Sequence, residues 1–162
     1  MLIRLATKAD HDAIWALIKP VFRKGDTYAV DQNLPRGEGL ALWCAAPRAT
    51  YVVEIDGDIV ATYYIKTNQQ GGGAHVCNCG YITGAAAQGR GVASAMCAHS
   101  QDAARALGYQ AMQFNFVLTT NTGAIRLWEK AGFATVGRIP RAFAHPQAGF
   151  VDALVMYKWL AD

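Results

Sequence analysis

The residues of this chain most suited to chemistry are Gln88-Gly89-Arg90-Gly91-Val92-Ala93, between a strand-like run and a helix-like run. Upstream, Cys77-Asn78-Cys79-Gly80-Tyr81-Ile82-Thr83 has the small, β-branched and aromatic content of a strand. Downstream, Val92, Ala95, Met96, His99, Ala103, Ala106 and Leu107 recur at helical spacing before the stop at Gly108. A glycine-rich turn that opens a helix leaves backbone N–H groups unpaired beside the positive end of the helix dipole. Such a turn suits a pyrophosphate, and it predicts a nucleotide-like ligand. A Walker loop would need Gly-Lys-Ser/Thr, and Gly91 is followed by Val92-Ala93. A dinucleotide fingerprint is approached by Gly89, Gly91 and Ser94, but the next strand ends Phe116-Val117-Leu118-Thr119-Thr120 without its carboxylate.

A second segment, Asn121-Thr122-Gly123-Ala124-Ile125-Arg126-Leu127-Trp128-Glu129-Lys130-Ala131-Gly132-Phe133, reads as a short amphipathic helix. Asn121 is its N-cap, Ala124, Leu127, Trp128 and Ala131 share a face, and Gly132 ends it. Together, Gln88-x-x-Gly91-x-Ala93 and this Asn-x-x-Ala-x-x-Leu-Trp-x-Lys-x-Gly-Phe run resemble the two cofactor motifs of the GCN5-related N-acetyltransferase (GNAT) family. The resemblance extends over nearly the whole chain, so residues 1–162 are expected to form one acetyltransferase domain.

The elements around the motifs agree in order. Leu2–Ala6 reads as a strand, and Thr7 with Asp10 as a capping box opening a helix to about Phe22. Residues 23–47 read as a loop with a short helix near Gly39 to Cys44. Tyr51–Ile55 and Ile59–Ile65 flank Asp56-Gly57, a hairpin signal. A polar loop from Asn68 to Gly73 leads to the motif-bearing strand, and strands are expected at Tyr109–Leu118, Phe133–Ile139 and Val151–Trp159. The fold class is α/β (α+β). The resemblance implies a mixed sheet of about seven strands, with helices on both faces and two central parallel strands splayed apart for the cofactor.

Composition narrows the field. A chain of 162 residues that is 52% hydrophobic can bury a substantial core. No apolar run reaches about 18–20 residues, so no membrane span is expected, and the N-terminus has no secretory hydrophobic stretch, which points to the cytoplasm. The net charge of +3 is spread rather than clustered, and nucleic acid is not an expected partner. Cys77 and Cys79 share a strand face, while Cys44 and Cys97 stand apart. That spacing suits buried thiols in a reducing compartment, with neither metal nor disulfide.

By resemblance, the co-substrate is acetyl-coenzyme A. Its pyrophosphate would rest on Gln88, Gly89, Arg90, Gly91, Val92, Ala93 and Ser94, and its pantetheine on the backbone at Tyr81, Ile82 and Thr83. Asn121 and Trp128 would flank it, and the Ile82 N–H would polarise the acetyl carbonyl. Aminolysis of a thioester needs a neutral amine, a donor for the oxyanion and an exit for the thiolate. The family's tyrosine acid is replaced by Trp128, whose indole N–H donates a hydrogen bond but no proton. The strand from Ala74 to Thr83 lacks the glutamate many relatives use as base and offers His75, Asn78 and Tyr81. Asn78 cannot act as a base but can orient an amine, and His75 is the titratable candidate.

Gln113 and Asn115 share a face of their strand, and with Asn78 they are the expected acceptor contacts. Trp15, Phe22, Tyr28 and Glu54 are further candidates, and Arg141 could meet a carboxylate. The run from Gly137 to Tyr157 resembles branches acting on phosphinothricin and proline analogues. The expected acceptor is therefore the amine of a small amino acid or analogue, attacking directly in a ternary complex, with a homodimer allowed. Two other classes remain open: a protein or peptide N-acetyltransferase, and a non-catalytic acyl-coenzyme A sensor.

Overall fold

The structure, a computed structural model, describes residues 1–161. Seven strands form one sheet in the order β1-β2-β3-β4-β5-β7-β6. In chain order they are β1 (Leu2–Leu5), β2 (Ala49–Ile55), β3 (Asp58–Thr67), β4 (Val76–Thr83), β5 (Ala111–Leu118), β6 (Ala134–His145) and β7 (Gly149–Trp159). The helices are α1 (His11–Lys24), α2 (Arg36–Leu40), α3 (Val92–Ala106) and α4 (Thr122–Lys130). All neighbouring strands are antiparallel except β4 and β5. The element order and the mixed sheet match the expectation from sequence.

Local chemistry accounts for the joints. The Asp10 carboxylate accepts from the Thr7 N–H (2.7 Å) and hydroxyl (3.0 Å), and both its oxygens take Arg4 nitrogens at 2.9 Å. This knot around the buried Asp10 ties β1 to the start of α1, and the Arg4 guanidinium holds the Asp10 carboxyl well below the usual carboxylate range. The hairpin between β2 and β3 turns on Asp56 (φ 53°) and Gly57 (φ 89°), the paired positive φ values of a type I′ turn.

Each face of the sheet has its own core. Ile14, Ile18 and Phe22 of α1 pack with Leu40, Trp43, Val52, Tyr64 and Ile82 on one face. On the other, Met96, Cys97 and Ala104 of α3 and Trp128 of α4 pack with Tyr63, Cys77, Cys79, Phe114 and Met156. Sequence reasoning ended β6 at Ile139, before Pro140, but the strand continues to His145. β6 pairs only with β7, so the missing Pro140 N–H costs no ladder bond on the outer edge. The register shifts between Ile139 and Phe143. There the Asp152 carboxylate receives the Arg141 N–H (2.8 Å) and Arg138 Nε (2.6 Å).

Candidate active site

β4 and β5 pair only at Val76–Ala111 and Cys77–Met112 and then diverge. In this parallel register the next rung would join the Cys79 N–H to the Gln113 carbonyl. Instead the Asn78 side chain donates to that carbonyl (2.9 Å), so an amide stands where the ladder stops and the gap opens. The Gly84 N–H bonds the Val60 carbonyl of β3 (2.8 Å), which sets the alternation along β4. Even-numbered residues turn their main-chain groups toward β3, and Cys79, Tyr81 and Thr83 turn theirs toward the gap.

This alternation corrects one expectation. The Ile82 N–H faces β3, so it cannot polarise a carbonyl in the gap, whereas Tyr81 and Thr83 keep edge positions. At Tyr81 the edge already has a partner. The Tyr28 hydroxyl donates to the Tyr81 carbonyl and accepts from its N–H, both at 2.9 Å. Burial pushes the Tyr28 phenol well above its usual range, so it stays a neutral donor.

Beyond the edge, a 3₁₀ turn at Ala85–Ala87 leads into Gln88–Gly91. Gly89 (φ 75°) and Gly91 (φ 76°) both adopt the left-handed conformation, and a Cβ on either would meet nothing within 4 Å. The glycines thus serve the path of the backbone, and the space beside them is open. Buried Ala87 and Val92 anchor the loop at its ends. The N–H groups of Val92, Ala93 and Ser94, in the first turn of α3, have no intrahelical acceptor. Across the gap, Asn121 caps α4 by accepting the Ala124 N–H (3.3 Å) and also lines the cleft. The Trp128 ring, 7% exposed, lies 5.0 Å from Tyr81 and 4.8 Å from Phe114 between centroids.

The cleft encloses about 380 Å³ between Thr27–Val30, the β3–β4 face, β5 and α4. On its floor the Tyr64 ring lies over Gly80, where a Cβ would come within 2.6 Å of the ring, and Trp43 packs edge-on at 4.8 Å. Lys66 and Asn78 are directly opposed across β3 and β4. At the rim Gln113 donates to Asn115 (3.0 Å) and Asn115 to Asn68 (2.6 Å). Asn78 and Asn115 line the cleft; Gln113 does so only through its bond to Asn115.

Other expected residues lie elsewhere. His75 is exposed at the closed end of the β4–β5 pair, packs near Trp159 and bonds the Gly72 carbonyl (3.1 Å). That position separates it from the gap and removes the one histidine proposed as a base. Glu54 pairs with Arg4 (3.2 Å), Phe22 is wholly buried, Trp15 packs over Gly39, and exposed Arg141 sits in the β6 bulge. Of the four further acceptor candidates, only Tyr28 reaches the cleft.

Among the described residues that line the cleft there is no Asp, Glu or His, and Lys66 carries the one formal charge. Burial pushes Tyr64 up to about 12 and raises Cys79 and Tyr81 well above their ordinary values. None of these groups is an anion near neutral pH. Sequence reasoning missed Lys66 and Tyr64. Their i, i+2 spacing on a strand beside Gly80 and Asn78 was the available signal, and it becomes informative only once the β3–β4 register is known.

The acetyltransferase (GNAT) family model matches residues 12–133. A GCN5-related N-acetyltransferase from Kribbella flavida superposes with a TM-score of 0.91 at 38% identity, over 98% of this chain and 96% of that one. A phosphinothricin acetyltransferase from Sinorhizobium meliloti shares the fold, with a TM-score of 0.86 at 16% identity over 99% and 88% of the two chains. The N-acetyltransferase aca1 of Schizosaccharomyces pombe is 27% identical over 148 residues, covering 81% of this chain and 71% of the relative.

Proposed function

Because the chain belongs to the acetyltransferase (GNAT) family, we propose that it transfers acetyl from acetyl-coenzyme A to the amine of a small molecule, an amino acid or analogue, by direct attack in a ternary complex. The observation that carries this reading is the gap between β4 and β5, with an open main-chain edge on one side and a small cavity below it. The Sinorhizobium meliloti relative was solved in complex with acetyl-coenzyme A, and this chain offers the same kind of ligand a suitable surface. The loop from Gln88 to Ser94 would cradle the pyrophosphate with its unpaired N–H groups. The edge at Thr83 would bond the pantetheine arm, the Tyr81 main-chain groups being held by the Tyr28 hydroxyl, with Asn121 and Trp128 on the far side.

The residues present limit the proton chemistry. Among the described residues no carboxylate or imidazole lines the cleft, so the chain would bind and orient an amine that arrives neutral or loses its proton to water. The oxyanion would take its hydrogen bond from the Cys79 N–H, which faces the gap on the side of the strand opposite to the Ile82 N–H and is not held by Tyr28. Buried Trp128 packs against Tyr81 and Phe114, and its indole N–H, a hydrogen-bond donor only, transfers no proton. A model thiol has a pKa near ~8.5, acidic enough to leave without an obligatory acid.

A cavity of about 380 Å³ suits a small acceptor. A cleft whose single formal charge among the described residues is positive opposes a basic peptide tail. The test begins with the thermal shift of purified protein in acetyl-coenzyme A, followed by thiol release with free amino acids, simple amines and peptides. Stabilisation plus turnover of free amino acids is expected. Turnover of peptides alone would transfer the activity to a protein acceptor, and stabilisation without any turnover would leave an acyl-coenzyme A sensor.

A further inference from the structure

Lys66 is a cation without an anion. It is half-buried in β3, lines the cleft, and among the described residues has no carboxylate within ion-pair distance. Its Nζ stands 5.5 Å from the centre of the Tyr64 ring, the aromatic floor of the acceptor cavity. A cation over a ring face is held there by the quadrupole, which keeps the ammonium at the cavity wall. Directly across the strand pair is Asn78, whose amide nitrogen is committed to the Gln113 carbonyl, leaving its oxygen as an acceptor on that wall.

Two opposed residues on a strand pair bring their Cβ atoms to about 4.5–5.5 Å. A positive donor and an amide acceptor at that spacing match the two ends of a small zwitterion. Building on the reading of the cleft as the site of a small acceptor, we propose that Lys66 binds the carboxylate of that acceptor. Its substrate class is then amines bearing an α-carboxylate or an equivalent oxyanion, and Lys66 is the residue that selects them. Arg141, offered by the sequence for this task, is exposed in the β6 bulge, and its main-chain N–H is bound by Asp152.

The experiment compares free amino acids with their carboxamides, which keep the amine and side chain but lose the anionic charge. The wild-type protein should favour the acid in kcat/KM by about ten- to hundredfold, the scale of a hydrogen bond to a charged partner. Lys66→Met should raise KM for the acid by a similar factor, affect the carboxamide far less, and keep the thermal shift with acetyl-coenzyme A. Lys66→Arg should restore most of the preference. Equal use of acid and carboxamide by the wild type, or equal loss on both in Lys66→Met, would overturn the role of Lys66 while leaving a small-amine acetyltransferase in place. Turnover of peptides with none of small amines would instead overturn the small-acceptor reading itself.

Discussion

Along the β4 edge and the Gln88–Ser94 loop, the groups facing the gap are main-chain N–H groups set by two left-handed glycines and a helix start. Across the β3–β4 face, the groups facing the cavity are side chains, Tyr64, Lys66 and Asn78, joined by Tyr28 and Asn115 from other elements. The proposed cofactor half is thus made of backbone, and the acceptor half of residues brought together by strand register. A backbone site tolerates many substitutions in sequence but few in conformation. A side-chain site behaves the other way, and single substitutions should retune it without dismantling it.

The largest effect should come from attacking the backbone half. Gly91→Asp has room for its side chain, since nothing lies within 4 Å of the new Cβ, yet it sets a carboxylate where a pyrophosphate would bind. Calorimetry should show acetyl-coenzyme A affinity falling by about a hundredfold or more, because one repelled charge and a strained φ act together. Unchanged affinity in a folded variant would remove the loop from the cofactor site and erase the contrast.

The second effect concerns protons. With no titrating anion among the described residues of the cleft, and Tyr64 pushed up to about 12, the reactive species at low pH is limited by the acceptor's own neutral fraction. That fraction grows as pH rises, so log kcat/KM should climb with a slope near 1, about tenfold per pH unit, until the amine's own pKa. A plateau between about pH 6 and 7, well below that pKa, would reveal an enzymic base acting in the acceptor half.

A smaller change is expected from Asn115→Ala, which breaks the Gln113–Asn115–Asn68 chain at the rim. Acceptor kcat/KM should fall about tenfold, the scale of one or two hydrogen bonds, while acetyl-coenzyme A affinity barely moves. If cofactor affinity falls as much as kcat/KM, the two halves are not separable. The smallest effect belongs to Trp128→Phe, which preserves an aromatic ring against Tyr81 and Phe114. Turnover should stay within about threefold of wild type if no proton passes through the indole. A collapse of rate with the fold intact would make the N–H a donor to the transition state.

The same contrast explains what the sequence revealed. Gln88–Ala93 and Asn121–Phe133 are contiguous, and their glycines, caps and helical spacing express local backbone requirements, so both motifs and the element order were legible. Ile82 was misplaced because its role depends on which edge of β4 carries the odd-numbered N–H groups, a fact set by pairing with β3. Lys66 was missed because its i, i+2 spacing with Tyr64 carries meaning only once register sets it opposite Asn78. The expected strand stopped at Ile139, whereas β6 runs on through Pro140 to His145: among the described strands it pairs with β7 alone, so a proline costs nothing on the outer edge.

The parting of β4 and β5 leaves an open strand edge inside the protein, and open edges are templates on which any extended backbone can add. From Cys79 to Thr83 this edge runs roughly 13 Å at about 3.3 Å per residue, long enough for a foreign strand to begin pairing. The Tyr28 hydroxyl satisfies both main-chain groups of its middle rung. It thereby interrupts the template at its middle, leaving single rungs at Cys79 and Thr83 in place of a continuous row that an extended chain could follow.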